Sequence, residues 1–354
     1  MRIGVPTEIK PLEFRVGLVP EVVGELIKKG HQVFIQKGAG DSSGYSDELY
    51  AAQGAAVLPS AQQLFESAEL IVKVKEPVEG DLQWLRKEHL LFCFLHLAAL
   101  PELTQKLVSI GLTAVAFETV SEQGYLPLLA PMSEIAGRVA VQWGGQLLYS
   151  SLGGRGLMLG GISGAERGCV TVLGAGVAGR SAASLAAAMG ANVTVFDVNP
   201  KALAEAKRIG PNVTALYSNT HDIGKKLIQT DLLIGAVLLP GDSAPKIVSR
   251  DMVKSMLPGS VIVDVAVDQG GCIETTRPTN YENPTYVEEG VIHMAVTNMP
   301  GGIPRTASQA LSGALLPYVA QLADQSWRSN PALRDGVNVA SGKIVLPTLI
   351  HQSE

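Results

Sequence analysis

Between Cys169 and Asn199 the chain reads CVTVLGAGVAGRSAASLAAAMGANVTVFDVN. An apolar run, Val170 to Leu173, leads into three glycines, Gly174, Gly176 and Gly179, spaced G-x-G-x-x-G. A helical stretch of small residues, Val177 to Met189, follows at once, and a second apolar run ends in an acid, Asp197. Strand, glycine turn, helix and strand in this order demand a β-α-β unit with parallel strands. The first glycine permits a tight turn, the second lets backbone approach a pyrophosphate, and the third lets helix and strand pack closely. The helix start then offers unpaired N–H groups and partial positive charge to phosphate. Glycine turns also join strands to helices where nothing binds. Here the terminal acid completes the pattern, because Asp197 stands where a carboxylate takes the ribose hydroxyls of a dinucleotide. No arginine follows it before Arg208, which favours NAD over NADP.

The remaining sequence bounds the answer from outside. With 354 residues, 46% hydrophobic and 17% charged, the chain is long and apolar enough for two buried cores. A formal charge of −5 and the lack of a dense Lys/Arg run argue against nucleic acid or an anionic membrane as partner, leaving a small metabolite. Cys93, Cys169 and Cys272 show no C-x-x-C spacing, so neither a disulfide framework nor a zinc site is expected, and the compartment reads as reducing. There is no H-E-x-x-H and no calcium loop, so no metal is expected. The opening MRIGVPTEIK lacks the apolar core of a signal peptide, and the most apolar run, Leu90 to Leu100, is too short to span a bilayer; a cytoplasmic location is expected.

Along the N-terminal part, strand-like runs (Arg2 to Pro6, Gln32 to Gln36, Leu70 to Lys75, Leu90 to His96, Ala114 to Ala116) alternate with helical ones, which predicts a second parallel sheet. A long helix is predicted over Glu134 to Ser151, with Ser133 as its N-cap, and another over Thr306 to Ala323. Between them further strands are expected at Asp231 to Val237, Val261 to Val265 and His293 to Val296; after them comes a polar tail, RSNPALRDGVNVASGKI. The expected fold is α/β with two domains joined by long helices: an inserted doubly wound Rossmann domain, 129–303, and a discontinuous Rossmann-like substrate domain, 1–128 with 304–354.

Four side chains stand out as candidates for chemistry. Arg15, between apolar neighbours in E-F-R-V, has the planar fork that fits a carboxylate, or forms a surface salt bridge. Lys75 ends I-V-K-V-K, where clefts open in such sheets; Lys73, two residues earlier, reads as an ordinary solvated or edge lysine. His96 closes L-L-F-C-F-L-H and is either a hydrogen-bonded structural residue or an acid/base group. The other five histidines read as surface or structural. Asp268, after V-I-V-D-V-A-V and before Gln269-Gly270-Gly271, is an acid at a strand terminus that can cap a helix or turn, whereas Asp264 within that run needs a structural hydrogen-bond partner.

Several separate stretches, in order and spacing, resemble the alanine dehydrogenase/transhydrogenase family, and its alanine dehydrogenase branch in particular. They are GVPTEIKPLEFRVGLVP, IVKVKEP, LFCFLHLAA, PMSEIAGR, the glycine motif, VIVDVAVDQGG, NMPGGIPRTAS and GVNVASGKI. Thr7 stands where the family often has Lys, Cys93-Phe94 replaces a common Thr-Tyr pair, and Gly302 a usual Ala. The resemblance implies reversible conversion of L-alanine, NAD and water to pyruvate, ammonium and NADH, with a homo-hexameric assembly. It implies Arg15 and Lys75 as substrate-binding residues and His96 and Asp268 as catalytic ones. Cofactor contacts it implies, beside the glycines and Asp197, are Ser133, Val177, Ala178 and Ser218, then Val237 and Leu238 after one strand. Val265, Ala266, Val267 and Asp268 follow another, with Arg277, and Val296, Thr297, Asn298 and Met299 complete the set. The rival expectations are the NAD-binding component of a proton-translocating transhydrogenase and a non-catalytic NAD sensor. An enzyme using lysine or saccharopine would share the fold but should diverge around LHLAA and DQGG.

Overall fold

The computed structural model describes residues 1–237 and 244–353. The chain divides into two compact units, Met1–Met132 with Gly301–Glu354, and Ser133–Pro300.

The first unit begins with strands β1 (Arg2–Val5), β2 (Gln32–Gln36), β3 (Ala56–Leu58), β4 (Leu70–Val72), β5 (Leu90–Cys93) and β6 (Thr113–Ala116), all mutually parallel where they pair. Short apolar runs suit strands covered on both faces, and β4 is buried at every position. The second unit holds β7 (Cys169–Leu173), β8 (Asn192–Asp197), β9 (Val213–Tyr217), β10 (Leu232–Gly235), β11 (Val261–Asp264), β12 (Thr285–Glu288) and β13 (Val291–Met294). Its sheet order is β12-β13-β11-β10-β7-β8-β9, with only β12 antiparallel.

Returning to the first unit, the chain adds β14 (Val337–Ala340) and β15 (Lys343–Ile344), giving the order β15-β14-β6-β5-β4-β1-β2-β3. The polar tail is therefore a short helix, Pro331–Asp335, followed by two antiparallel strands, of which β15 forms the sheet edge. Their shortness and an irregular register between Val337 and Val339 hide them from periodicity, although Val337 and Val339 are buried.

Both units are doubly wound in the same sense. The chain enters at a central strand, winds outward through two neighbours, then crosses back to the other side of the first strand. The direction reverses between β1 and β4 in one unit and between β7 and β10 in the other, and crevices at strand carboxyl ends open at such reversals.

The long helix expected over Glu134 to Ser151 runs instead from Ala130 to Leu147, so Ser133 lies inside it and is not an N-cap. Pro131 accounts for the earlier start: a residue without an N–H fits the first turn, where that group would have no helical acceptor. Within the second unit this helix lies against the helix Val177–Ala188. The Ser181 hydroxyl donates to the Glu134 carbonyl at 2.9 Å, and a Cβ on Gly137 would come within 2.1 Å of the Ala178 carbonyl oxygen. The second long helix, Pro304–Ala323, again starts with proline in its first turn. Among the described residues no helix is long and apolar enough to cross a membrane, and no group of three or more His, Cys, Asp or Glu could hold a metal ion.

Candidate functional site

The glycine turn behaves as its spacing predicts. Gly174 has φ +95°, and a Cβ there would meet the Ala236 carbonyl oxygen at 2.5 Å. Gly179 is tighter still, with a Cβ landing 1.8 Å from the Gly174 carbonyl oxygen. Gly176 is exposed, and a Cβ on it would touch nothing within 4 Å, so its face admits a group from outside the fold. The helix Val177–Ala188 starts here without a side-chain cap, leaving first-turn N–H groups to meet an anion. This cradle fits a pyrophosphate.

Asp197 closes the other side of the turn. Its Oδ2 accepts the Ala175 N–H at 2.5 Å and its Oδ1 the Asn199 N–H at 2.7 Å. Ser218, just beyond β9, donates its N–H to the Asp197 carbonyl at 3.0 Å. Val177 and Ala178 are half-buried in the first helical turn, and Val237 lies two residues past the end of β10. Leu238 falls outside the described residues.

Val265, Ala266, Val267 and Asp268 form a helical turn, Val265–Gln269, immediately after β11. Asp264 caps it: buried, it accepts the N–H groups of Ala266 at 3.0 Å and Cys272 at 3.1 Å. Burial lifts its carboxyl to about 6 against those two bonds. Asp268 is exposed, and its Oδ2 lies 3.5 Å from the N–H of Asn298, whose left-handed backbone (φ +59°) lies beyond β13. Val296 and Met299 are buried beside it in the chain and Thr297 is exposed. Arg277 stands apart, its guanidinium 3.8 Å over the Tyr286 ring and its N–H on the Tyr286 hydroxyl at 2.8 Å. Most of the expected cofactor residues thus follow β7, β9, β10, β11 and β13, at the carboxyl ends of the parallel strands, where a doubly wound sheet takes its ligand.

In the first unit Arg15 is buried. Its Nε and Nη2 donate to the two oxygens of Glu13 at 2.6 and 2.5 Å, and Nη1 contacts the Met132 sulfur at 3.2 Å. Its segment is pinned to the helix Pro304–Ala323: the N–H groups of Val16 and Val19 donate to the hydroxyls of Ser308 and Ser312 at 3.0 and 2.9 Å. Lys75 lies past the end of β4. Burial, and then the positive charge of Arg15, hold its ammonium below the usual lysine range. Lys10 pairs with the buried carboxylate of Glu76, next in sequence.

Lys73 is not a solvated lysine. It is 1% exposed, and its ammonium sits 3.0 Å from Glu8 Oε2 and 3.1 Å from Asp81 Oδ2. Burial opposes its charge, but the two carboxylates outweigh burial and hold its pKa above the ordinary value.

His96 lies beyond the strand expected to carry it, since β5 ends at Cys93. Its side chain is 44% exposed, stacked on Phe94, and its backbone is left-handed (φ +50°). Glu118 accepts its N–H at 2.6 Å and that of Leu95 at 3.1 Å. The supporting carboxylates Glu8, Glu13 and Glu118 escaped sequence reasoning. Only Glu13, two residues from Arg15, carries a local signal; the others meet their partners through the sheet.

Two doubly wound units, one with a glycine turn that fits a dinucleotide pyrophosphate and the other with Lys75 past a strand end near buried Arg15, fit a dinucleotide-dependent oxidoreductase that acts on a small anion. Residues 4–136 match the model for the alanine dehydrogenase/PNT N-terminal domain and residues 140–347 that for the C-terminal domain, and the chain belongs to this family. It is 48% identical to an alanine dehydrogenase of Methanococcus maripaludis, over 97% of this chain and 94% of that one. With an alanine dehydrogenase of Bacillus subtilis it shares 47% identity over 97% of this chain and 92% of the relative. A solved L-alanine dehydrogenase superposes with a TM-score of 0.96 at 48% identity, covering 100% of this chain and 99% of the other. A transhydrogenase from Sinorhizobium meliloti gives 0.85 at 26% identity, covering 98% and 99%. Family and cradle together imply a nicotinamide dinucleotide cofactor.

Proposed function

We propose that this chain is an NAD-dependent L-alanine dehydrogenase that interconverts L-alanine, NAD and water with pyruvate, ammonium, NADH and a proton. The observation that carries the substrate reading is a half-buried Lys75 near buried Arg15, where burial and then the positive charge of Arg15 hold the Lys75 ammonium below the usual lysine range. A substrate carboxylate arriving beside Lys75 would relieve that repulsion. Glu13 orients the Arg15 guanidinium through Nε and Nη2.

Gly174, Gly176, Val177 and Ala178 would hold the cofactor pyrophosphate through backbone, and Asp197 the ribose; the lack of a nearby arginine supports NAD over NADP. When bound, nicotinamide supplies the chemistry that takes a hydrogen with its electron pair from the substrate Cα. The chain's own contribution is orientation: fixing the carboxylate at Arg15 and Lys75 fixes where that Cα–H points. His96 and Asp268 are proposed to move the protons as water adds to the imino carbon and ammonia leaves. Ser133, Ser218, Val237, Leu238, Arg277 and the stretches Val265 to Asp268 and Val296 to Met299 are carried into the proposal as further cofactor contacts. A homo-hexamer in the cytoplasm is proposed from the family resemblance, and light scattering on the purified protein tests the assembly.

The competing reading is the NAD-binding component of a transhydrogenase, supported by the fold likeness at 26% identity. The much higher identity to alanine dehydrogenases and the Arg15–Lys75 pair favour the dehydrogenase. Incubating purified protein with NAD and single L-amino acids while following NADH absorbance separates the two. Reduction with alanine is expected; NADH binding without reduction by any amino acid would overturn the proposal.

A further inference from the structure

The chain past β4 is held on one side only by a strand. The Lys73 N–H donates to the Phe92 carbonyl at 3.2 Å and the Phe94 N–H to the Val74 carbonyl at 3.0 Å, both toward β5. On the other side β1 pairs with β4 only at Ile3 and Gly4, and β1 stops at Val5. There the Glu8 carboxylate takes over: Oε1 accepts the Val74 N–H at 2.5 Å, and Oε2 lies 3.4 Å from the Lys75 N–H. Glu8 thus stands in for strand carbonyls at the reversal point of the sheet.

Burial pushes the Glu8 carboxyl up, and Lys73, 3.0 Å away, opposes that and favours the ionised form, the stronger acceptor of these bonds. Asp81 binds the same ammonium at 3.1 Å, but its other bond, from the Val78 N–H at 3.1 Å, lies past Lys75. Two carboxylates therefore share one cation, and only Glu8 grips the peptide groups that aim Lys75.

From this geometry we propose that Glu8 is a positioning residue for Lys75, with buried Lys73 as the ion-pair partner that fixes the Glu8 carboxylate in place. The proposal rests on the reading that Lys75 takes the substrate carboxylate. Glu8→Gln keeps the size of the side chain, loses the charge, and turns an amide NH2 toward Lys73 or Lys75. Asp81→Asn removes an equal charge from the same ammonium without touching Val74 or Lys75.

Steady-state kinetics on the full-length enzyme read the difference. Glu8→Gln should raise KM for pyruvate about tenfold while KM for NADH stays within about twofold of the parent. Asp81→Asn should leave KM for pyruvate within about twofold even where melting temperature falls as much as in Glu8→Gln. If Glu8→Gln does not fold, Glu8→Asp keeps the charge but is one methylene short of Val74, and the same split between the two KM values is expected. Equal pyruvate effects in the Glu8 and Asp81 variants, or a stability loss in the Glu8 variants with unchanged pyruvate KM, would overturn the proposal. Lys75→Gln isolates the parent reading: unchanged pyruvate KM there removes the substrate role of Lys75 and this inference with it. A raised KM in Lys75→Gln but not in the Glu8 variants removes Glu8 alone.

Discussion

The Asp197 carboxylate is hydrogen-bonded to the main-chain N–H of Ala175 at 2.5 Å, tying the acid that ends β8 to the turn between Gly174 and Gly176. One carboxylate thereby shapes the glycine turn, and in the proposed function it also takes the ribose. Asp197→Ala should lose both contributions, raising KM for NAD about tenfold or more, worth about 1.4 kcal/mol of binding for each factor of ten. NADP should gain relative to NAD because an anion that repels the 2′-phosphate is gone. Initial rates with each cofactor check this, and an unchanged NAD/NADP ratio would count against Asp197 as the ribose acid.

The glycine turn separates folding from binding. At Gly179 an added methyl would press on backbone, the Gly174 carbonyl at 1.8 Å, and nothing flexible can yield. Gly179→Ala should cost at least about 1–3 kcal/mol of stability. At Gly176 the methyl meets no protein atom, so Gly176→Ala should melt within a few degrees of the parent yet bind NADH more weakly. Thermal melts with and without NADH distinguish the pair; a Gly176→Ala protein with parental NADH affinity would place the pyrophosphate elsewhere.

His96→Ala and Asp268→Asn should each lower turnover by about a hundredfold or more, the usual range for a positioned acid or base. Neither should weaken NADH binding to the same degree. Full turnover in both variants would remove them from the mechanism.

Asp264 gives a pH signature independent of catalysis. Burial raises its folded-state pKa from 3.8 to about 6, so the native protein binds a proton that the unfolded chain has already released in that interval. Stability from this group is present below the unfolded value and declines as pH rises through about 6, by about 3 kcal/mol in all. Asp264→Asn should flatten the change in unfolding free energy between these pH values. An identical slope in parent and variant would show that Asp264 is not the titrating group.

Legibility in the sequence followed the range of the interactions. The glycine turn could be read directly, because Gly174, Gly176, Gly179 and the following helix interact within one turn of chain. The run Val170 to Leu173 was legible for a similar reason, since apolar character on both faces announces a covered parallel strand. Lys73 and Lys75 could not be sorted by such reasoning. They share a strand-like pattern, and their difference is made by Glu8 and Asp81, carboxylates brought to Lys73 by the fold. Ser133 was misjudged as a cap because proline tolerance in a first turn competes with serine's capping preference, and the structure decided for Pro131. The strands β14 and β15 were missed because strands of four and two residues carry little periodicity of their own.

The sequence by itself determined the β-α-β unit, the alternation that makes most strands of both sheets parallel, and the residue types available for a dinucleotide and an anion. These depend on local backbone preference and on which face of an element is apolar. Only the tertiary structure decided which lysine is buried as a counter-ion, how Arg15 is gripped by Glu13, and that His96 leaves its strand in a left-handed turn held by Glu118. The physical reason is that a charge's state depends on distance and solvent exclusion, and both are fixed only when residues remote in sequence are packed together.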